Sequence, residues 1–405
     1  MKKAGSVPIS KPQPEGVNAI PSSNSDILVV GAGLSGLLAA LSCARTHRVT
    51  VLDAAPIAPN SDTRASFLSL SSLRLLDALG LEVERQPVRR ILAGEGTPGR
   101  PLRGEPLRFE LDGEDLGAVV ENGKLHAALL LRAAEEVDLR GGVEVRGFRT
   151  EPDTAVLDTT QGTFRAPLAV AADGGRSRLR TLAGVGVQTH DYNQRALTFT
   201  FHHTEPHGGT AFQIFFPNGP LALLPLSGNR SSVVWTDTPA AIRAAESLPR
   251  GALVAELARR IGPSLGALSV PGPLTSYPLH QVVADSSTAD RLALVGDAAH
   301  LVHPLAGQGL NLTARDAAAL ADVVAQAKSL GRDIGGPALG EYARWRSGDI
   351  SATAVATDAF HHVFGWTGAL GAFRRLGTSR VKRSLAERFA REAAGLRPNL
   401  PALMR

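Results

Sequence analysis

Short apolar runs and helical periodicities alternate through the first part of the chain. Asp26-Ile-Leu-Val-Val30 is a run of strand length, Leu37–Leu41 open a helical pattern, and Val49-Thr-Val-Leu-Asp53 is a second run ending in an acid. That order predicts a βαβ unit. Asp62–Ser69 leads into an amphipathic helix carrying Leu73, Leu76 and Leu79 and stopping at Gly80. Residues 81–117 are rich in Gly, Pro and charge, with short strand candidates such as Leu107–Leu111, and look like an excursion out of the first domain. Gly117–Asn122 leads into a helix through Leu125, Leu129 and Leu130. Val143–Val145, Ala155–Asp158 and Thr163–Ala166 are expected as strands, the last two a hairpin around Gln161-Gly162, and Leu168–Ala172 as a further buried strand.

From Ala196 to Trp235 the texture becomes β-branched and aromatic. Leu197–Phe201, Gly209–Phe216, Ala222–Pro225 and Ser231–Thr236 predict antiparallel strands, with a turn at Asn218-Gly219-Pro220. Ala240–Ile261 predicts one helix and Leu274–Val283 another strand. Leu292–Val295 is a buried strand that stops at Gly296. A loop with Pro304, Gly307 and Gly309 follows, and from Leu310 the pattern is helical again through Ala317–Leu320 and Val323–Val324. The pattern predicts an α/β fold with a separate sheet packed beside a nucleotide domain.

The bulk figures narrow the class. A chain of 405 residues, 43% hydrophobic and 20% charged, suits a globular protein of two or three lobes. No run of about 18 apolar residues exists, so no transmembrane helix is expected. Lys2 and Lys3 are not followed by an apolar stretch, so a secretory signal is not expected, and residues 1–24, with Pro8, Pro12, Pro14 and Pro21, predict a mobile tail. The single Cys43 excludes an internal disulfide, fits a reducing compartment, and falls on a helix as a core thiol. The net charge of +5 is uneven: residues 366–405 carry +7, leaving −2 for the rest. Such a segment suits nucleic acid, an anionic membrane surface or a partner protein, unless it is only a solvated helix face.

Three loops carry candidate chemistry. Gly31-Ala-Gly33-Leu-Ser-Gly36 has a strand before it, a helix after it and Asp53 at the end of the next strand, 22 residues beyond Gly31. Gly31 permits the turn, Gly33 lets a pyrophosphate approach the backbone, Gly36 lets helix and strand pack, and Asp53 suits ribose hydroxyls. The unit serves FAD and NAD(P) alike. The strand ending at Ala172 runs into Asp173-Gly174-Gly175-Arg176-Ser177-Arg178, and the strand ending at Val295 runs into Gly296-Asp297. His300 and His303, spaced i, i+3 with no carboxylate or cysteine cluster nearby, are read as loop-fixing residues, and no metal is expected.

Together these loops resemble the three FAD-contacting motifs of the single-component flavoprotein aromatic hydroxylases of the para-hydroxybenzoate hydroxylase type. His303-Pro-Leu-Ala-Gly-Gln-Gly-Leu-Asn311-Leu-Thr313-Ala-Arg-Asp316 is similar to the characteristic motif of the ubiquinone-biosynthesis hydroxylases, with Thr313 where that pattern has glycine. Asp62-Thr-Arg64-Ala, Val119-Val-Glu-Asn122, Phe215–Leu226 and Tyr342–Arg346, Asp349, Thr357-Asp358 and Phe364 extend the resemblance over roughly residues 25–365.

The resemblance implies a glutathione-reductase-type, Rossmann-like FAD-binding domain made of 25–80, 118–188 and 286–335. Into it is inserted an antiparallel-sheet substrate domain made of 81–117 and 189–285, and 336–405 form C-terminal helices. It implies FAD held by Gly31, Gly33, Gly36, Asp53, Arg64, His126, Asp173, Gly296, Asp297, Leu310 and Asn311, with Pro304, Gly307, Gln308 and Gly309 against the flavin ring. His126 stands where the family usually has Gln. NADH or NADPH and O2 are the implied co-substrates, acting through a flavin C4a-hydroperoxide that hydroxylates a polyprenylated phenol or quinol in ubiquinone biosynthesis. No general base is assigned, Tyr277 and His280 being the candidates. Phe212, Ile214, Phe216, Leu221 and Leu223 are candidates to line an apolar pocket, against the alternative of plain sheet core.

The expected setting is cytoplasmic, at the inner face of the membrane, with 366–405 docking on lipid or on a quinone-synthesis complex. A homo-oligomer remains open, and no nucleic acid is expected. Three alternatives stand beside this reading: a hydroxylase of a small soluble aromatic, a prenyl-chain reductase, and a non-catalytic scaffold subunit.

Overall fold

The computed structural model describes residues 24–102, 105–302, 308–349, 391, 394–396 and 399–405. Its first sheet has the strand order Thr288–Ala289, Leu292–Leu294, Leu168–Ala171, Ile27–Val30, Val49–Asp53, Asp138–Gly141. All neighbours are parallel except the terminal Thr288–Ala289 pairing. The central strands are apolar at every position because both faces are covered. Ile27 and Val29 face the helices Leu34–Ala44, Asn122–Glu136 and Gln308–Ser329, packing with Leu37, Leu41, Leu129 and Leu320. Leu28 and Val30 face a three-stranded antiparallel sheet, Val145–Glu151, Thr154–Thr159 and Gly162–Ala166, through Leu157 and Phe164. Helices on one side and a small sheet on the other give three layers.

A larger sheet of nine strands among the described residues stands beside this domain. Its main path runs His300–Leu301, Thr275–Ala284, Val187–His203, Arg230–Asp237, Gly219–Leu226, Thr210–Phe216, Arg90–Glu95, Leu107–Glu110. One face buries Phe199, Phe201, Ile214, Leu221 and Trp235 against Ile242, Leu253 and Leu257 of two helices. Strand alternation sends the intervening, smaller side chains toward the nucleotide domain. The short strand His300–Leu301 pairs with Val282–Val283, stitching the loop after Asp297 to this sheet. A fourth sheet, Ala65–Ser69 with Gly117–Glu121 and then Gln86–Val88, closes the space from the other side.

Several expectations change. The helix expected over Ala240–Ile261 is two, Pro239–Glu246 and Arg250–Ile261. Pro249 caps the second, and proline both lacks the N–H a continuous helix needs and disfavours helical geometry in the residue before it. Ala65–Ser69 is a strand where only a lead-in to a helix was expected, and Ser69 then caps helix Leu70–Ala78 by accepting from Ser72 N. The strand expected at Val143–Val145 occupies Val145–Glu151 instead. The large sheet is mixed rather than antiparallel, because Thr210–Phe216 and Arg90–Glu95 run parallel. More than a hundred residues separate those strands, so no hairpin constrains their direction. Among the C-terminal residues, 338–349 are helical and Ala402–Met404 form one 3-10 turn. The tail expected over 1–24 and most of the basic segment 366–405 lie outside the described residues.

Candidate cofactor and substrate site

A cavity of about 1100 Å³ lies between the nucleotide domain and the large sheet. That is just above the roughly 300–1,000 Å³ typical of a small-ligand pocket. One wall is the fingerprint loop. Gly31 has φ +108°, and a Cβ there would stand 2.4 Å from Ala172 O. A Cβ on Gly36 would stand 1.8 Å from Gly31 O, so only glycine lets the helix close on the turn. At Gly33 a Cβ would meet nothing within 4 Å, and Gly33 begins helix Leu34–Ala44 with no side-chain cap and no acid in the first turn. The helix's free N–H groups therefore open onto the cavity, which is where an anionic pyrophosphate is best held.

Asp53 stands at the strand end facing the cavity. Its Oδ2 accepts from Ala32 N at 2.7 Å and its Oδ1 from Ala55 N at 2.8 Å, which fixes the carboxylate beside the cradle. Asp173 is fixed similarly, accepting from Arg178 N at 2.8 Å and Leu179 N at 3.1 Å, and also from Ser177 Oγ. Sequence reasoning gave Arg180 no role. It is buried and donates to Ala298 O at 2.7 Å and Gly175 O at 2.9 Å, tying the second loop to the third. Its signal was present as a basic residue on the helix following Asp173-Gly174, but an arginine there equally suits solvent.

Arg64 lies on the cavity wall in a fork with Asp62, Nε–Oδ1 2.9 Å and Nη2–Oδ2 2.7 Å, and Asn122 steadies that carboxylate from 3.3 Å. The two short motifs quoted around Arg64 and Asn122 thus form one unit. The Arg64 guanidinium also sits 5.7 Å from the Tyr277 ring centre. Burial raises the Tyr277 phenol above its ordinary value, and Arg64 pulls it part of the way back. Both base candidates, Tyr277 and His280, line the cavity.

Gly296 has φ +62°, which turns the chain after strand Leu292–Leu294 and presents Asp297 to the cavity. Burial raises the Asp297 carboxyl above the ordinary carboxylate range, while His300 and Arg64 draw it down in part. Behind it lies a buried network. Asp316 accepts from Gly296 N at 2.8 Å, pairs with His300 Nε2 at 2.6 Å and with Arg346 Nε at 2.6 Å. Burial pushes Asp316 up, but His300 and Arg346 together hold it below its usual value. His300 is thus a loop-fixing residue, and the described residues contain no group of metal-ligating side chains.

Gly309, Leu310 and Thr313 reach the cavity, whereas Asn311 is turned inward. Asn311 accepts from Ser69 N and Ser72 Oγ, both at 2.8 Å, and donates to Phe67 O at 2.9 Å, pinning helix Gln308–Ser329 to the small sheet. Thr313 donates to Gly309 O at 3.1 Å and fits beside Gly296. His126 is likewise behind the wall: its Nε2 bonds Ala32 O at 2.9 Å and its Nδ1 accepts from Asn60 N at 3.4 Å, so it supports the fingerprint loop. Gly36 and Gly296 shape the backbone without lining the cavity. Pro304 and Gly307 lie outside the described residues, as does His303, and of Gln308 only its place at the helix start is described.

The large sheet supplies the opposite wall through small and aliphatic side chains, among them Ala211, Ala222, Leu224 and Val234. Ile214, Phe216, Leu221 and Leu223, candidates for that wall, face the two helices instead, because bulky side chains occupy the alternate register. Phe212 reaches the cavity edge.

Comparison with known proteins agrees with this geometry. The family described as "FAD binding domain" matches residues 24–331. The ubiquinone hydroxylase UbiL of Rhodospirillum rubrum is 39% identical over 402 residues, spanning 94% of this chain and 92% of that protein. The 3-demethoxyubiquinol 3-hydroxylase of Escherichia coli is 35% identical over 356 residues, spanning 84% and 90%. The crystal structure of p-nitrophenol 4-monooxygenase PnpA from Pseudomonas putida superposes with a TM-score of 0.73 at 20% identity, over 91% of this chain and 98% of that one, a likeness of fold.

Proposed function

Because the chain belongs to the FAD-binding-domain family, and within it to the FAD-dependent hydroxylases of ubiquinone biosynthesis, we propose that it hydroxylates the ring of a polyprenylated phenol or quinol, using NAD(P)H and O2. The observation that carries this reading is one cavity shared by an anion cradle at Gly33 and an aliphatic sheet wall. Overall, one ring C–H becomes C–OH, the second oxygen atom leaves as water, and NAD(P)H gives up two electrons. Bound FAD supplies the electron relay and the activation of O2.

The chain's residues do the rest. The helix beginning after Gly33 would hold the pyrophosphate on its N–H groups, and Asp53 would accept from ribose hydroxyls. Asp297, on the turn that Asp316 holds through Gly296 N, would orient the polyol side of the cofactor. The first turn of helix Gln308–Ser329 presents N–H groups that favour negative charge on a ring beside it. The aliphatic sheet wall keeps water away from the reacting ring. Arg64 over Tyr277 closes the edge of the cavity between the domains.

The lining side chains of strands Thr210–Phe216, Gly219–Leu226 and Arg230–Asp237 are all uncharged, which supports a neutral ring over a benzoate-like small acid. The decisive measurement is oxygen uptake by the purified yellow protein with NAD(P)H. Stimulation by a short-chain prenylated methoxyphenol, with a product heavier by one oxygen, is expected; a protein that neither takes up FAD nor responds to any phenol sinks the reading.

No described helix is long and apolar enough to cross a membrane. We place the enzyme in the cytoplasm, with the basic segment 366–405 resting on the inner membrane or on a quinone-synthesis complex. Retention of anionic-vesicle binding after removal of that segment would count against the placement.

A further inference from the structure

Register fixes which side chains of the large sheet meet the cavity. Ser232 lies opposite Leu224, Val234 opposite Ala222, and Ala222 opposite Gln213, so Gln213 and Ser232 share the cavity face two strands apart. With strands roughly 4.8 Å apart and a rise of about 3.4 Å per residue, their Cα atoms stand about 12 Å apart. Side chains reaching inward from those positions leave room between them for one ring bearing oxygens on opposite sides.

These two are chemically unlike their surroundings. Ser232 is buried and Gln213 half-buried, both line the cavity, and neither side chain forms a hydrogen bond within the described residues. Thr198 on the same wall is already engaged, donating to Thr275 O at 3.3 Å. An uncommitted hydroxyl and amide facing a cavity are placed to bond a ligand there. Each can both donate and accept. None of the cavity-lining side chains on the three strands that carry and separate Gln213 and Ser232 is charged, and a carboxylate placed between those two would lose hydration for neutral partners only.

We infer that Gln213 and Ser232 hold the hydroxyl and ether oxygens of the substrate ring, and that the uncharged wall around them makes the enzyme reject rings carrying a carboxylate. The inference rests on the hydroxylase reading above and adds the residues that set which ring is accepted.

The test is titration of the FAD-loaded protein with a short-chain methoxyphenol and with its carboxylated counterpart, binding being followed by the change in flavin absorbance. The native protein should bind the neutral ring at least roughly tenfold more tightly than the acid. Gln213→Leu and Ser232→Ala should each weaken binding of the neutral ring about tenfold, the loss expected for one hydrogen bond to a buried group. FAD content and substrate-free reduction by NAD(P)H should not change. Gln213→Lys should move the preference toward the acid, a shift that a merely structural role would not produce.

The inference is overturned if both truncations bind the neutral ring as the native protein does, or if the native protein binds both rings equally. If instead no phenol stimulates oxygen uptake by the native protein, the hydroxylase reading falls and takes this inference with it. Stimulated uptake with indifferent variants overturns the inference alone.

Discussion

Asp297 accepts no hydrogen bond among the described residues, and burial holds its carboxyl above the ordinary value of 3.8. A raised acid favours the protonated folded state. Asp297 therefore stabilises the flavin-free fold at low pH, and that contribution is lost as pH rises from about 3.8 through the raised folded value. Asp297→Asn should flatten this decline, visible as a smaller fall in apoprotein Tm with rising pH, and Asp297→Ala should lose the bound flavin and its yellow colour. A variant retaining full colour would refute the placement. Asp316 has the opposite sign: its lowered carboxyl stabilises the fold above the ordinary value and that contribution is lost as pH falls through the lower folded one. At this scale the places of Gly31, Gly33, Asp53, Asp173 and Asp297 on the cavity wall were legible, because strand-end loops advertise themselves by composition. Asn311 and His126 were read as facing a cofactor because a motif names positions, not directions, and each points into packing.

The strand, turn and helix around Gly31–Gly36 separate two effects that a motif merges. Gly36→Ala would drive a methyl to 1.8 Å from Gly31 O, so the protein should be destabilised with or without flavin. Gly33→Ala meets open space at an extended φ of −75°, so the apoprotein Tm should be unchanged while FAD affinity falls. Equal Tm losses for the two would contradict the geometry. Helix Gln308–Ser329 and the helix over 338–349 are joined by the Asp316–Arg346 pair, both side chains 1% exposed. Arg346→Met leaves Asp316 with less compensation and should cost about 3–5 kcal/mol, measurable by denaturant unfolding. Periodicity showed the long helices and most strands. It passed over Ala65–Ser69, whose Ser-rich alternation reads as loop until its partner Gly117–Glu121 is known.

For the whole molecule, the fold class was legible from the order of its elements, but the mixed sheet was not. Nothing in residues 90–95 or 210–216 states that they will lie side by side, because that adjacency belongs to the folded chain. The parallel pair also bears on the order in which the ribosome delivers the chain. Arg90–Glu95 emerges early and has only Leu107–Glu110 to pair with until Thr210–Phe216 follows. Leu168–Ala171 likewise waits for Leu292–Leu294 to cover its second edge. Neither lobe can therefore be finished and set aside while the other is made. Long-range pairings of this kind slow folding and leave strand edges open meanwhile. Nascent chains halted before about residue 295 should remain protease-sensitive in both lobes at once, and two fragments cut after residue 188 should fail to fold separately, since Leu168–Ala171 and Arg90–Glu95 lie on one and their partners Leu292–Leu294 and Thr210–Phe216 on the other.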